Sequence, residues 1–156
     1  MSYLTDLSVE LGGAVFKNPV MPASGTYDYF ENNADCFPVS ELGAVMIKSV
    51  HRLQRPGNPG PRIAEVCGGV GIPSVGIEAF LRDELPRYEN IGTQVILSIS
   101  GSEPVHYAEI AELVGDDPRI AALEMNLSCP NVGSGLPFSS DPQLLYDTVR
   151  QTRQRT

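Results

Sequence analysis

The feature that most constrains this chain is a set of four short apolar runs, each giving way at its C-terminal end to small or polar residues. They are 19–22 (PVMP), 44–47 (AVMI), 95–99 (VILSI) and 120–125 (IAALEM). Each is too short for a solitary helix and suits a buried strand. Between the last two, Tyr107, Ile110, Ala111 and Val114 recur at helical spacing after Pro104, which predicts a helix over 104–114. Further helices are expected over 79–88 and 142–153, the latter capped by Asp141. Buried strands alternating with helices predict a parallel α/β architecture, in which the C-terminal ends of the strands share one edge. Ligands of β/α folds bind at that edge.

Composition narrows the classes of function. The 156 residues are 42% hydrophobic and 19% charged, which excludes disorder as the main state. A formal net charge of -8 argues against nucleic acid as a partner, although a local phosphate site stays compatible with it. No apolar run approaches the ~18 residues of a membrane span, and the opening MSYLTDLSVELGG lacks the regions of a signal peptide, so no membrane association and a cytoplasmic location are expected. Cys36, Cys67 and Cys129 are odd in number and widely spaced, which suits neither a disulfide framework nor a metal site. His51 and His106 have no metal-ligating companion; His51 could line the site and His106 is expected to face solvent. Asp116 and Asp117, before Pro118, read as a turn.

Residues 4–16 alternate around Gly12 and Gly13 and predict a small N-terminal β-hairpin plugging or flanking the sheet. The interval between the second and third runs is about twice that of one β/α unit. It contains RPGNPGPR at 55–62 and CGGVGIP at 67–73, too rich in Gly and Pro for a regular element, and reads as an ordered excursion over one face of the sheet. The GGVG of 68–71 lacks the Lys and helix context of a nucleotide-binding loop.

The strand ends carry the chemistry. Ser24, Gly25 and Thr26 offer backbone and hydroxyl donors to an anion or to heterocycle oxygens. Lys48 abuts AVMI and is expected to lie partly buried, where its ammonium needs either a structural Glu or a bound anion or electron-rich ring. NLSCPN at 126–131 sets two carboxamides about a thiol, with Pro130 fixing the backbone. The amides suit a cyclic imide, and the thiol at a strand's C-terminal end suits a nucleophile or a general base.

The segments FKNPVMPASGTYDY, GAVMIKSV, RPGNPGPRIAE and EMNLSCPNV, in this order, resemble the class 1 dihydroorotate dehydrogenases, and within them the catalytic subunit of the NAD-linked class 1B enzymes. The resemblance covers essentially the whole chain. It implies a (β/α)8 TIM barrel holding FMN at its C-terminal mouth, of which residues 1–156 would form the N-terminal half, since a full barrel needs at least ~200 residues. Ala23, Ser24, Gly25, Lys48, Ser49, Ser98 and Asn126 match cofactor-binding positions. Lys48, Ser74, Val75, Gly76, Ile77, Asn126 and Asn131 match the substrate site. Cys129 matches the base that removes the C5 proton of dihydroorotate while hydride leaves C6 for flavin N5, giving orotate. The implied partners are the remaining half of the barrel, a second copy, and an electron-transfer subunit carrying FAD and a 2Fe-2S cluster; NAD through that subunit and fumarate are the alternative final acceptors. The isolated chain would bind FMN poorly and be inactive.

Two positions depart from the family pattern. Pro73 stands where the family has a pyrimidine-binding Asn, and Ser98 stands where an Asn is frequent. Pro73 keeps open an FMN oxidoreductase for another dihydropyrimidine. A noncatalytic half-barrel serving in binding or assembly is the alternative from another class.

Overall fold

The computed structural model describes residues 5–26, 37–57, 73–128 and 138–156. Among them a parallel three-stranded sheet runs in chain order, β3 (Ala44–His51), β4 (Gln94–Ser100) and β5 (Ala122–Met125), preceded by an antiparallel pair, β1 (Val9–Leu11) and β2 (Ala14–Phe16). Gly12 and Gly13 join that pair with φ of +60° and +90°, the left-handed conformation that a two-residue hairpin turn demands. Phe16 is fully buried against Ala44 and Ile96, so the pair covers one face near the start of β3 and β4.

The first apolar run is not a strand, which corrects the expected four to three among the described residues. Pro19 and Pro22 remove two of the backbone donors that a ladder would need. The run instead lies beside the chain that leads into β3, where the Val20 carbonyl accepts from Gly43 N at 2.9 Å and Asn18 Nδ2 donates to the Glu41 carbonyl at 2.8 Å. Gly43 has to be glycine, because a Cβ there would stand 1.9 Å from the Asn18 carbonyl oxygen.

The sheet has two distinct faces. Val45, Ile47, Val50, Val95, Leu97 and Ile99 form a core with Phe80, Leu85, Tyr107, Ile110 and Val114. The opposite face carries Ala44, Met46, Ile96 and Ala122. Helix α2 (Pro104–Val114) forms over the expected residues, and Tyr107, Ile110, Ala111 and Val114 are its buried stripe. Helix α3 (Pro142–Arg153) packs on α2 and is capped by Asp141, whose carboxylate accepts from Gln143 N at 2.9 Å and Leu144 N at 3.1 Å.

The helix expected over 79–88 begins earlier and is irregular. An α-turn, α1 (Ile77–Ala79), widens to a π-turn over Phe80–Glu84 and tightens to 3-10 over Leu85–Tyr88. Pro86, which cannot donate to the preceding turn, lies in the tightened part. The excursion after β3 is pinched at its base, with Arg55 and Ser74 exchanging backbone hydrogen bonds of 2.8 and 3.0 Å. No helix among the described residues is long and apolar enough to cross a membrane.

Candidate active site at the strand ends

The ladder between β3 and β4 slips once. Ile47 pairs with Leu97 and Val50 with Ile99, so Lys48 and Ser49 together face the single residue Ser98. A bulge of this kind re-aims side chains beside functional sites. Val50 returns to the helix-facing core, and Ser49 reaches the Ser98 hydroxyl at 2.8 Å. Asn126, one residue beyond β5, donates its Nδ2 to Ser49 Oγ at 3.0 Å. A continuous polar chain, Asn126 to Ser49 to Ser98, thus ties together the C-terminal ends of all three parallel strands. Ser98 is fully buried, and its hydroxyl is tolerable there because Ser49 partners it.

Tyr107, on α2 and fully buried, completes the frame. Its hydroxyl donates to the Asn126 carbonyl at 2.8 Å and lies 3.4 Å from that of Gly101, while its ring meets Phe138 edge-on with centroids 5.5 Å apart. In the sequence this residue is legible only as part of a helix stripe. The available signal was that a buried tyrosine requires a partner for its hydroxyl.

Lys48 is exposed, not partly buried as expected. Gly25, which lies against its stem, has no side chain to cover it. Lys48 pairs with no carboxylate among the described residues, and of the two expected partners the structural Glu is therefore not found there. Its stem runs beside Gly25, where a methyl group would stand 3.3 Å from Lys48 Cδ and 3.4 Å from Nζ. Gly25, with φ +75°, lies in a turn in which Thr26 N and Oγ1 both donate to the Ala23 carbonyl, at 3.1 and 2.7 Å. Ala23 is exposed and Ser24 half-buried.

The Ser74–Ile77 stretch reaches the same edge through β3. Ser74 Oγ accepts from His51 N at 3.1 Å and from Gly76 N at 3.3 Å. Val75 is exposed, whereas Ile77 is fully buried with its side chain in the helix-facing core, so it anchors this stretch and offers no accessible surface to a ligand. Gly76 needs its φ of +84°, and a Cβ there would stand 2.9 Å from Gln54 N. Arg52 holds this junction from outside, bonding Glu78 at 3.1 Å and Glu109 at 3.0 Å, a contact that the sequence pattern did not announce.

His51 lies at the end of β3 opposite Ser100. Burial pushes its imidazole down to about 4, and Arg55, Lys48 and His106 add repulsion in that order. Its Nδ1 is enclosed without a hydrogen-bond partner. His106 is half-buried, not solvent-facing as expected, because Nδ1 is turned back to Ser102 Oγ at 3.2 Å and Ser102 N at 3.3 Å. Asp117 lies in the expected turn and accepts from Arg119, whose guanidinium holds its carboxyl below the usual range. Cys129 and Asn131, like Cys36 and Cys67, fall outside the described residues.

A hydrogen-bonded set of hydroxyls and an amide, with an ammonium beside it, at the C-terminal edge of a parallel sheet defines an α/β protein with the usual ligand-binding edge of that class. The comparisons name the family. The family model described as dihydroorotate dehydrogenase matches residues 6–156, and the chain belongs to that family. Similar relatives are the catalytic subunits named dihydroorotate dehydrogenase B (NAD(+)) from Geotalea uraniireducens and Geobacter sulfurreducens, each 40% identical over 97% of this chain and 51% of the relative. The subunit of that name from Geobacillus kaustophilus is 40% identical over 95% of this chain and 49% of its own length. The chain thus spans about half the length of the curated relatives it matches.

Proposed function

We propose that this chain is the N-terminal half of a class 1B-type dihydroorotate dehydrogenase catalytic subunit, an FMN-dependent oxidoreductase of pyrimidine biosynthesis that converts dihydroorotate to orotate. The observation that carries the reading is the β3 bulge, which sets Lys48 and Ser49 opposite Ser98 and lets Ser49 bind Asn126. Residues 1–156 would form part of a single (β/α)8 barrel domain, with further strands continuing the sheet. Adjacent parallel strands in chain order, with helix α2 crossing between β4 and β5, support that architecture.

The residues present fit a flavin. Gly25 leaves bare backbone beside Lys48, a place that any side chain would fill. Ala23, Ser24, Gly25, Lys48, Ser49 and Asn126 would hold the cofactor through backbone groups, hydroxyls, an amide and one ammonium, with the buried Ser98 acting through its bond to Ser49. FMN, when bound, supplies the hydride-accepting ring. Lys48, Asn126 and Asn131 would orient the substrate with Ser74, Val75 and Gly76, a stretch anchored in the core by the buried Ile77, and the Cys129 thiolate would take the proton from C5. The names of the relatives, each a catalytic subunit of an NAD(+)-linked enzyme, support a partner subunit that passes electrons toward NAD. FAD and a 2Fe-2S cluster would sit on that partner, and the catalytic subunit would be a homodimer.

Pro73 favours one second reading, oxidation of another dihydropyrimidine, because proline offers no donor where the family pattern has an amide. The test is anaerobic flavin bleaching of the full-length protein with dihydroorotate against dihydrouracil. Bleaching by dihydroorotate that is lost in Cys129→Ser at neutral pH is expected. Bleaching by dihydrouracil alone would replace the substrate, and a protein that takes up no flavin would overturn the reading.

A further inference from the structure

His51 is a polar group at this edge without a role in the proposed function. It shares the register of Ser100, two residues along β4 from Ser98, and so lies on the face of the Ser49 and Ser98 hydroxyls and not on that of Val50 and Ile99. Its backbone N–H is committed to Ser74 Oγ at 3.1 Å, which fixes the main chain of His51 beside the residue that follows Pro73. Nδ1 is enclosed without a partner, whereas Nε2 is not so enclosed. A bare lone pair is a smaller penalty in an enclosed position than an unpaired N–H. The ring therefore keeps its proton on Nε2 and presents a neutral N–H donor.

The groups around it define what that donor meets. The charges that act on the ring are those of Lys48 on its own strand, Arg55 on the following loop and His106 on α2, and all oppose its protonation. An anion brought among them is attracted by the permanent charges of Lys48 and Arg55, and a cation is repelled by both.

We propose that His51 is a further substrate-binding residue, whose Nε2–H bonds the carboxylate of a small planar ring held at the ends of β3, β4 and β5, on the side where Pro73 has no donor. The inference rests on the proposed function, since it takes the bound ring to be a carboxylated pyrimidine. It gives the site a means of separating orotate from uracil that depends on neither Asn126 nor Lys48.

The experiment titrates the full-length flavin-loaded protein with orotate and with uracil, following the flavin absorbance, for wild type, His51→Ala and His51→Gln. One charge-assisted hydrogen bond predicts about a tenfold loss of orotate affinity in His51→Ala, with uracil unchanged. His51→Gln, which keeps an N–H at the same reach, should recover most of it. 15N NMR of labelled histidine should show the Nε2–H tautomer in the free protein and a perturbed Nε2 on adding orotate. Equal orotate affinity in wild type and His51→Ala overturns the inference and leaves the proposed function standing, as does a parallel loss of orotate and uracil. A wild type that binds no orotate overturns both. Should His51→Ala fail to fold, the tautomer and the Nε2 response of the wild type decide.

Discussion

Removing one oxygen from Tyr107 separates the two duties of that side chain. Tyr107→Phe keeps the ring against Phe138 and the helix-facing core but deletes the 2.8 Å bond to the Asn126 carbonyl. The carbonyl belongs to a half-buried residue that water can reach, so the loss should fall near the lower end for an unmet acceptor, about 1–1.5 kcal/mol. Tyr107→Ala additionally empties a fully buried ring site and should cost about 3–5 kcal/mol. For a protein of this size, each kcal/mol lowers the thermal midpoint by roughly 2–4 °C, giving about 2–6 °C for Phe and about 6–20 °C for Ala. Differential scanning calorimetry of this chain and its two variants, paired with orotate titrations of the corresponding full-length flavin-loaded proteins, reads both effects. The Phe variant should also bind orotate more weakly, since Asn126 loses the contact that orients its backbone. A Phe variant as unstable as the Ala variant would mean that the core tolerates no change at this position and that the hydroxyl carries no separable role. One indistinguishable from wild type in stability and binding would show that the bond does not hold Asn126.

Three further outcomes follow from the geometry. Gly43→Ala forces a Cβ to 1.9 Å from a backbone oxygen and should destabilise by about 1–3 kcal/mol or more, read as a lowered urea midpoint with an unchanged slope. Asp141→Ala leaves Gln143 N and Leu144 N uncapped at the start of α3 and should cost about 1 kcal/mol in the same assay, with Asp141→Asn recovering most of it. His51 should make stability depend on pH: unfolded, the imidazole protonates near 6.5, but folded only near 4. Its contribution is complete above pH 6.5 and is lost as the pH falls from there to about 4, because protons bind the unfolded chain first. His51→Gln should flatten unfolding midpoints over that window, and an unchanged slope there would refute the assignment.

How far the sequence carries this structure depends on the range of the interaction concerned. Helix α2 and the Asp141 cap were legible because their determinants lie within a few residues of one another: an apolar repeat after Pro104, and a carboxylate two and three residues before the amides it binds. The 19–22 run has the hydrophobicity of a strand but not its hydrogen-bonding capacity, because Pro19 and Pro22 remove two of the backbone donors a ladder needs. Polar residues at the strand ends could be identified as candidates from the pattern alone, but their arrangement could not. Whether Ser49 faces Ser98 or the helices turns on one extra residue between Ile47 and Val50, and a strand's side-chain period of two makes such a slip invisible to composition. The same slip explains why Lys48 is exposed although it directly follows a buried run. A regular strand assigns alternate residues to opposite faces, so Lys48 and Ser49 could not both have stood opposite Ser98 without the bulge. The bulge is thus the feature that turns two adjacent residues of the chain into two neighbouring groups of one site.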